Sequence, residues 1–218
     1  FRAWRPRPEY AAQVASPPYD VLSSDEARQM AAGNPLSFLH VGKPEIDLPP
    51  GTDVYSPAVY ATGADNLRKL IEDGVLDREP EPALYLYRQR MGNHVQTGVV
   101  AGASVDEYEA DLIKKHEHTR PVKEDDRTRH IDALDAQSGP VFLTYKARPE
   151  IDAIVRRLTA APPAYDFVAP DGIQHVVWVV ADPNGRDSLA RAFAAVPERY
   201  GADGHHRSAA ATRIRALR

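Results

Sequence analysis

The stretch YGADGHHRSAAATRIRALR, residues 200–218, places a polar cluster directly before an alanine-rich run that favours a helix. Asp203 and Gly204 form a turn pair, and Gly204 allows a ligand to approach the backbone closely. A helix that starts near His206 would direct unpaired N–H groups and the positive end of its dipole at this turn. The stretch therefore predicts an anion site, to which Arg207 adds a bidentate phosphate contact.

The same residues also permit a simpler interpretation. Asp203 would then be the N-cap of an ordinary helix, and the polar side chains after it would lie on a solvated face. On either interpretation, the chain is expected to be helical from Ser208 onward.

A second polar motif, IKKHEHTRPVKEDDRTRH, occupies residues 113–130. In an extended segment, His116 and His118 project to one side and Glu117 to the other. This arrangement favours either a histidine pair for a metal or phosphate, or a glutamate that acts as a general base. The spacing matches no strong zinc motif, and a charged run of this kind is equally typical of a solvated loop. The acidic group at 124–126 is a candidate metal neighbour.

The third candidate is SPPYDVLS, residues 16–23, a rigid turn with two prolines and an aromatic residue. Asp20 in this turn offers a carboxylate to a ligand or metal. It can equally cap the turn through an Asx hydrogen bond.

Composition excludes several classes of protein. The 218 residues include 27 Lys and Arg against 31 Asp and Glu, which gives a net charge of −4 and argues against a dedicated nucleic-acid surface. The absence of cysteine excludes disulfides and thiolate chemistry and fits a cytoplasmic location. No apolar run reaches the roughly 20 residues of a membrane helix. Because the sequence lacks an initiating Met and stops within a predicted helix, we expect further chain on both sides.

The hydrophobic pattern predicts mixed α and β structure. Residues 1–22 are expected to be extended. Helices are predicted after Ser23 or Ser24, from Pro57 to Gly74, from Pro149, and over the segment before Pro197. Strands are predicted in SFLHV (37–41), in hairpins at 83–105 and 165–182, and at 141–146.

The motifs together resemble two families. SPPYDVLS, NPLSFLHV, LYLYR, KKHEHT and ADGHHRSAA occur in the order seen in a bacterial family catalogued as a domain of unknown function. Over roughly residues 105–218, the HE and DGHHR motifs resemble the free-serine kinases of the ParB/sulfiredoxin-like fold. The resemblance implies an α+β chain with a ParB/sulfiredoxin-like core at 105–218, which the chain end truncates, and an additional N-terminal α/β region at 1–104.

The kinase resemblance implies a role for each matching residue. Glu117 would take the proton of a substrate hydroxyl, assisted by His116, and residues 203–208 would bind donor phosphates: Asp203, Gly204, His205, His206, Arg207 and Ser208. Asp20, His118 and Thr119 are candidate substrate or loop contacts. The implied activity is phosphorylation of free L-serine or a similar hydroxyl compound, with Mg²⁺ and with ATP, ADP or pyrophosphate as donor.

Two alternatives remain open on the sequence. One is a ParB-like nucleotide-binding regulatory module without kinase activity. The other is a metal-binding protein in which His116 and His118 converge with His205 or His206. The sequence does not determine the oligomeric state or the identity of a metal.

Overall fold

The computed structural model describes residues 1–218 and shows an α+β protein. The strands β1 to β9 are Trp4–Pro6, Leu76–Arg78, Leu84–Met91, His94–Val100, Ile113–Lys114, Phe142–Thr144, Tyr165–Val168, Gln174–Val180 and Arg199–Asp203. The helices α1 to α9 are Ala11–Val14, Ser24–Ala31, Leu39–Gly42, Pro57–Glu72, Val105–Glu109, Pro121–Leu134, Pro149–Leu158, Pro183–Ala194 and His205–Leu217. None of these helices combines the length and the apolar character that crossing a bilayer requires.

The chain forms two compact units, and it passes between them several times. The first unit comprises Phe1–Ala12, Leu76–Ala103 and Lys146–Pro197. The second comprises Gln13–Val75, Ser104–Tyr145 and Glu198–Arg218. Both units draw segments from either side of residue 104, so they do not correspond to the two regions predicted at 1–104 and 105–218.

The first unit is built on a four-stranded antiparallel sheet in the order β4-β3-β8-β7. Both predicted hairpins are confirmed: Met91 pairs with His94 across the first turn, and the second turn contains Gly172 at a φ of 82°. Alternate residues of β8 are buried, as expected for a strand with one face on a core. That core consists of Leu86, Val176, Trp178, Val180 and Leu189.

Local signals in the sequence place two helices of the second unit. Ser23 accepts a hydrogen bond from the Glu26 amide, and the Glu26 side chain bonds back to the Ser23 amide, which makes a capping box for α2. Helix α4 follows Ser56 and has Pro57 in its first turn, as predicted. Leu67 and Leu70 on one face of α4 are buried.

A three-stranded sheet in the second unit sets the position of the last helix. Its central strand is β9, which pairs in parallel with β5 and antiparallel with β6. Strand β9 leads directly into α9, and α9 packs against α6. The sheet thus brings the beginning of the charged segment 113–130 beside the strand that leads into α9.

Two predictions for the N-terminal part of the chain are wrong. Residues 1–22 are not extended throughout, because α1 and two short 3₁₀ turns interrupt them. Residues 37–41 form no strand, since Leu39–Gly42 is the short helix α3. Leu39 and Val41 are both fully buried, and a short apolar run of this kind fits a buried helical turn as well as a strand.

Candidate functional site

Gly204 sets the geometry of the site because it joins the last residue of β9 to the first turn of α9. Its φ is 88°, in the left-handed region, and a Cβ at this position would lie 3.0–3.2 Å from atoms of Val141. The helix begins at His205 and not at His206 or Ser208. Gly204 itself is the N-cap, so the interpretation of Asp203 as N-cap is wrong. We call residues 203–208 the α9 start.

The α9 start has no side-chain cap. The first helical hydrogen bond runs from the Ser208 amide to the Gly204 carbonyl at 2.9 Å. The amides of residues 205–207 therefore have no carbonyl partner within the helix, and they lie at the positive end of its dipole. Anions bind to amides of this kind in other proteins, and an anion site at the α9 start stays a prediction. Ser208 offers only its hydroxyl, because its amide is already bonded.

Arg207 is buried and holds three segments of the chain together. Its side chain is only 9% exposed, and its Nη1 donates to the Pro140 carbonyl. Its Nη2 donates to Asp203 Oδ2 at 2.7 Å and lies 3.5 Å from Asp20 Oδ2. A Cβ on Gly139 would lie 3.1 Å from Arg207 Cδ, so this loop packs closely on the side chain. The guanidinium thus fixes the turn and orients two carboxylates, and its contact with a phosphate stays a prediction.

Glu117 and His116 both lie at the α9 start. Glu117 Oε2 is 3.6 Å from His205 Nδ1, and the rings of His116 and His205 meet edge to face at 4.4 Å between centroids. A bend at Glu117 brings these neighbours to the same histidine, so the expectation that they project to opposite sides is wrong. One ligand atom from each of His116, Glu117 and His205 lies within 4.8 Å of the others.

The exposure of these three side chains differs. The Glu117 side chain is 65% exposed, whereas that of His205 is 8% exposed. His205 Nε2 is buried and has no hydrogen-bond partner. His205 is therefore the fixed member of the group, and Glu117 and His116 are open to solvent.

The other predicted site residues lie at the edge of this group. His206 Nε2 accepts a hydrogen bond from the Arg120 amide at 3.1 Å, which requires the proton of its neutral ring to be on Nδ1. Thr119 Oγ1 donates to Glu124 Oε2 at 2.7 Å. His118 is exposed and is not a member of the His116, Glu117 and His205 group.

Sequence reasoning missed a buried network beside Arg207. Arg127 lies over the Tyr19 ring at 3.9 Å, and its Nη2 is 2.8 Å from Asp126 Oδ2. Tyr60 donates to Asp126 Oδ1 at 3.0 Å. Burial and the Asp126 charge raise the pKa of Tyr60, and burial raises the pKa of Tyr19. The aromatic residue in SPPYD was the only signal for this network.

The match to a family model decides where this chain belongs. The model of the family described as "Protein of unknown function (DUF1015)" matches residues 1–218. The chain belongs to the DUF1015 family. No curated protein and no solved structure matches it. The end-to-end resemblance expected from the five motifs is thus confirmed, and the ParB/sulfiredoxin-like core stays a prediction.

The carboxylates of this DUF1015 chain differ in their availability to a cation. The acidic group at 124–126 is engaged: Glu124 and Asp125 lie near Arg213, and Asp126 is bonded by Tyr60 and Arg127. It is therefore a poor metal neighbour.

Asp20 and Asp203 are partly exposed and each faces Arg207 through Oδ2 alone. Each keeps a free oxygen, which fits the one or two carboxylates that Mg²⁺ takes from a protein alongside phosphates and water.

Proposed function

We propose that this DUF1015 chain is a small-molecule phosphotransferase that transfers a phosphoryl group to free L-serine or a similar hydroxyl compound. The observation that supports it most is the position of the exposed Glu117 carboxylate, 3.6 Å from the first histidine of an uncapped helix start. A base for the acceptor and an anion site for the donor would thus lie within one small region of the chain.

The donor phosphates would bind at the α9 start. The free amides of residues 205–207 and the helix dipole favour negative charge there, and no side chain of the chain already caps those amides. Phosphoryl transfer depends mainly on positioning and on neutralising charge, which such a turn supplies. Arg207 would stabilise this turn by holding it against Pro140 and the Asp20 loop.

Glu117 would accept the proton of the acceptor hydroxyl. As the hydroxyl oxygen bonds to the transferred phosphorus, the bond from that phosphorus to the donor's leaving oxygen breaks, and the leaving group keeps the electron pair. A carboxylate next to the anion site is within the reach that general-base catalysis needs. The 65% exposure of Glu117 leaves room for a small substrate.

Mg²⁺ bound with the donor would neutralise phosphate charge. Asp20 and Asp203 are the residues that would hold it, through the oxygens that do not face Arg207. In this arrangement Arg207 Nη2 keeps the two carboxylates near each other.

A matched pair of variants tests the proposal. The protein is incubated with L-serine and ATP, ADP or pyrophosphate, and phosphoserine is followed by mass spectrometry. Glu117→Gln should lower the rate by about 100-fold or more, as expected for loss of a general base, while donor binding persists. Glu109→Gln, which changes another exposed glutamate of the same unit, should leave the rate unchanged.

The outcomes separate the proposal from its main alternative. A nucleotide-binding regulatory module of ParB type predicts that donors bind and that no phosphoserine forms with any of them. Phosphoserine formation that is equal in the parent and in Glu117→Gln would contradict the role of Glu117 as base.

A further inference from the structure

His116, Glu117 and His205 form a group with the composition of a metal site. Two imidazoles and one carboxylate each present a ligand atom, and these atoms lie within 4.8 Å of one another. In a tetrahedral site with bonds of about 2.1 Å, ligand atoms lie roughly 3.4 Å apart. The Glu117–His205 separation of 3.6 Å is already close to that value. Small rotations of the exposed His116 and Glu117 side chains would complete the site.

One ring nitrogen of His205 faces the group, and the other is buried. Its Nδ1 faces Glu117, so the buried Nε2 would carry the ring proton if Nδ1 bound an ion. Metal-binding histidines usually donate that second N–H to a carbonyl or carboxylate. In this structure His205 Nε2 has no such partner; the Lys114 carbonyl oxygen is a neighbour, since it and Nε2 would both lie 3.5 Å from a Cβ at Gly201.

The rest of the motif gives no other explanation for His116. Its ring makes an edge contact with His205 and no hydrogen bond within the chain. His206 differs because its Nε2 is occupied by the Arg120 amide. Both histidines that converge, His116 and His205, thus keep nitrogen atoms free for an ion.

We propose that His116, Glu117 and His205 bind one divalent transition-metal ion such as Zn²⁺ or Mn²⁺. Imidazole ligands favour such ions over Mg²⁺, which prefers oxygen. Three protein ligands leave a position open for water or a phosphate oxygen, as in catalytic zinc sites. The inference does not rest on the proposed transfer reaction. Both proposals use Glu117, and they exclude each other in the same molecule, because a carboxylate bound to the ion would not be free to accept the proton of the acceptor.

The test uses Co²⁺ as a spectroscopic probe in the absence of any substrate. The full chain should bind one Co²⁺ with the visible absorption of a low-coordinate site that has nitrogen ligands. Zn²⁺ should displace it, and its affinity is then measured by competition with a chelating dye. His116→Gln and Glu117→Gln should each weaken Zn²⁺ binding by more than about 10-fold, because they remove a ligand and not only a supporting group.

His118→Gln is the matched control, since it removes an exposed histidine of the same segment that is outside the group. It should bind Zn²⁺ as the parent does. His205→Gln should also lose the absorption, and circular dichroism shows whether this buried variant is folded. An unchanged Zn²⁺ affinity in His116→Gln and Glu117→Gln, or equal losses in His118→Gln, would overturn the inference. Phosphoserine formation is measured separately, so failure of the metal site and of the transferase are distinguishable.

Discussion

His130 of α6 should make the stability of the second unit depend on pH. Its side chain is only 1% exposed, and Nε2 lies 2.9 Å from the Val41 carbonyl, to which it donates. Burial is the main cause that lowers the pKa of His130 to about 4, and the nearby charge of Arg127 lowers it further. Asp126 and Glu45 act in the opposite direction, but they do not outweigh burial.

The sign and size of the effect follow from the difference in pKa between the two states. An unfolded histidine titrates near 6.5, so between about pH 6.5 and pH 4 the unfolded chain binds a proton that the folded chain does not. The free energy of unfolding therefore falls as the pH falls through this window. A difference of about 2.5 units at about 1.4 kcal/mol each limits the loss to about 3 kcal/mol, of which about 2 kcal/mol appears between pH 7.5 and pH 5.

Urea unfolding at about pH 7.5 and about pH 5 measures this loss directly. His130→Gln keeps an amide donor for the Val41 carbonyl and cannot be protonated, so it should lose about 2 kcal/mol less than the parent between the two pH values. His94→Gln removes an exposed histidine from the first hairpin and should lose as much as the parent. If the parent and His130→Gln lose equal stability on acidification, the assignment of the effect to His130 is refuted.

Two further variants test the construction of the α9 start. Gly204→Ala should lower the free energy of unfolding by about 1–3 kcal/mol, because alanine is strained at the left-handed φ of this position. The close approach of the new Cβ to Val141 should add to this loss. Gly204→Ala should also weaken donor binding. The control is Gly172→Ala, at a φ of 82°, where an added Cβ would meet nothing within 4 Å; this variant should lose stability through backbone strain alone. Arg207→Lys should lower the free energy of unfolding by about 1–3 kcal/mol, since an ammonium cannot bond the Pro140 carbonyl and Asp203 in the same geometry. Chemical unfolding measures both, and either variant with the stability of the parent would contradict the stated role.

The elements that the sequence predicts well are those with a local physical cause. The capping box at Ser23 satisfies helix amides within a few residues, and the turn between Met91 and His94 joins two strands that are adjacent in sequence. Residues 37–41 lack such a cause. The Phe38 amide donates to the Val14 carbonyl, and His40 Nδ1 lies 2.8 Å from Asp47 Oδ1. Tertiary partners therefore decide the conformation there.

The α9 start also combines features that the local sequence predicts with features that depend on distant residues. Gly204 and the alanine-rich run after it predict an uncapped helix start, because both act within one turn of the chain. The approach of Glu117 to His205 depends on the pairing of β5 with β9, which brings together segments almost ninety residues apart. The resemblance to the serine kinases suggested that these two segments meet, and so did the alternative of a metal site shared by their histidines. No local pattern shows that the bend at Glu117 also brings His116 to His205.

The charged segment before His130 shows why burial of polar residues escapes prediction from a local pattern. Asp126 and Arg127 look like part of a solvated run, yet both are buried. Burying a charge is costly unless it is paired and hydrogen-bonded, and the partners here are distant in sequence: Tyr60 bonds Asp126, and Tyr19 stacks on Arg127. The SPPYD turn thus contacts both buried arginines, through Tyr19 to Arg127 and through Asp20 to Arg207. A substitution in this turn should therefore disturb α6 and the α9 start together, although neither is its neighbour in sequence.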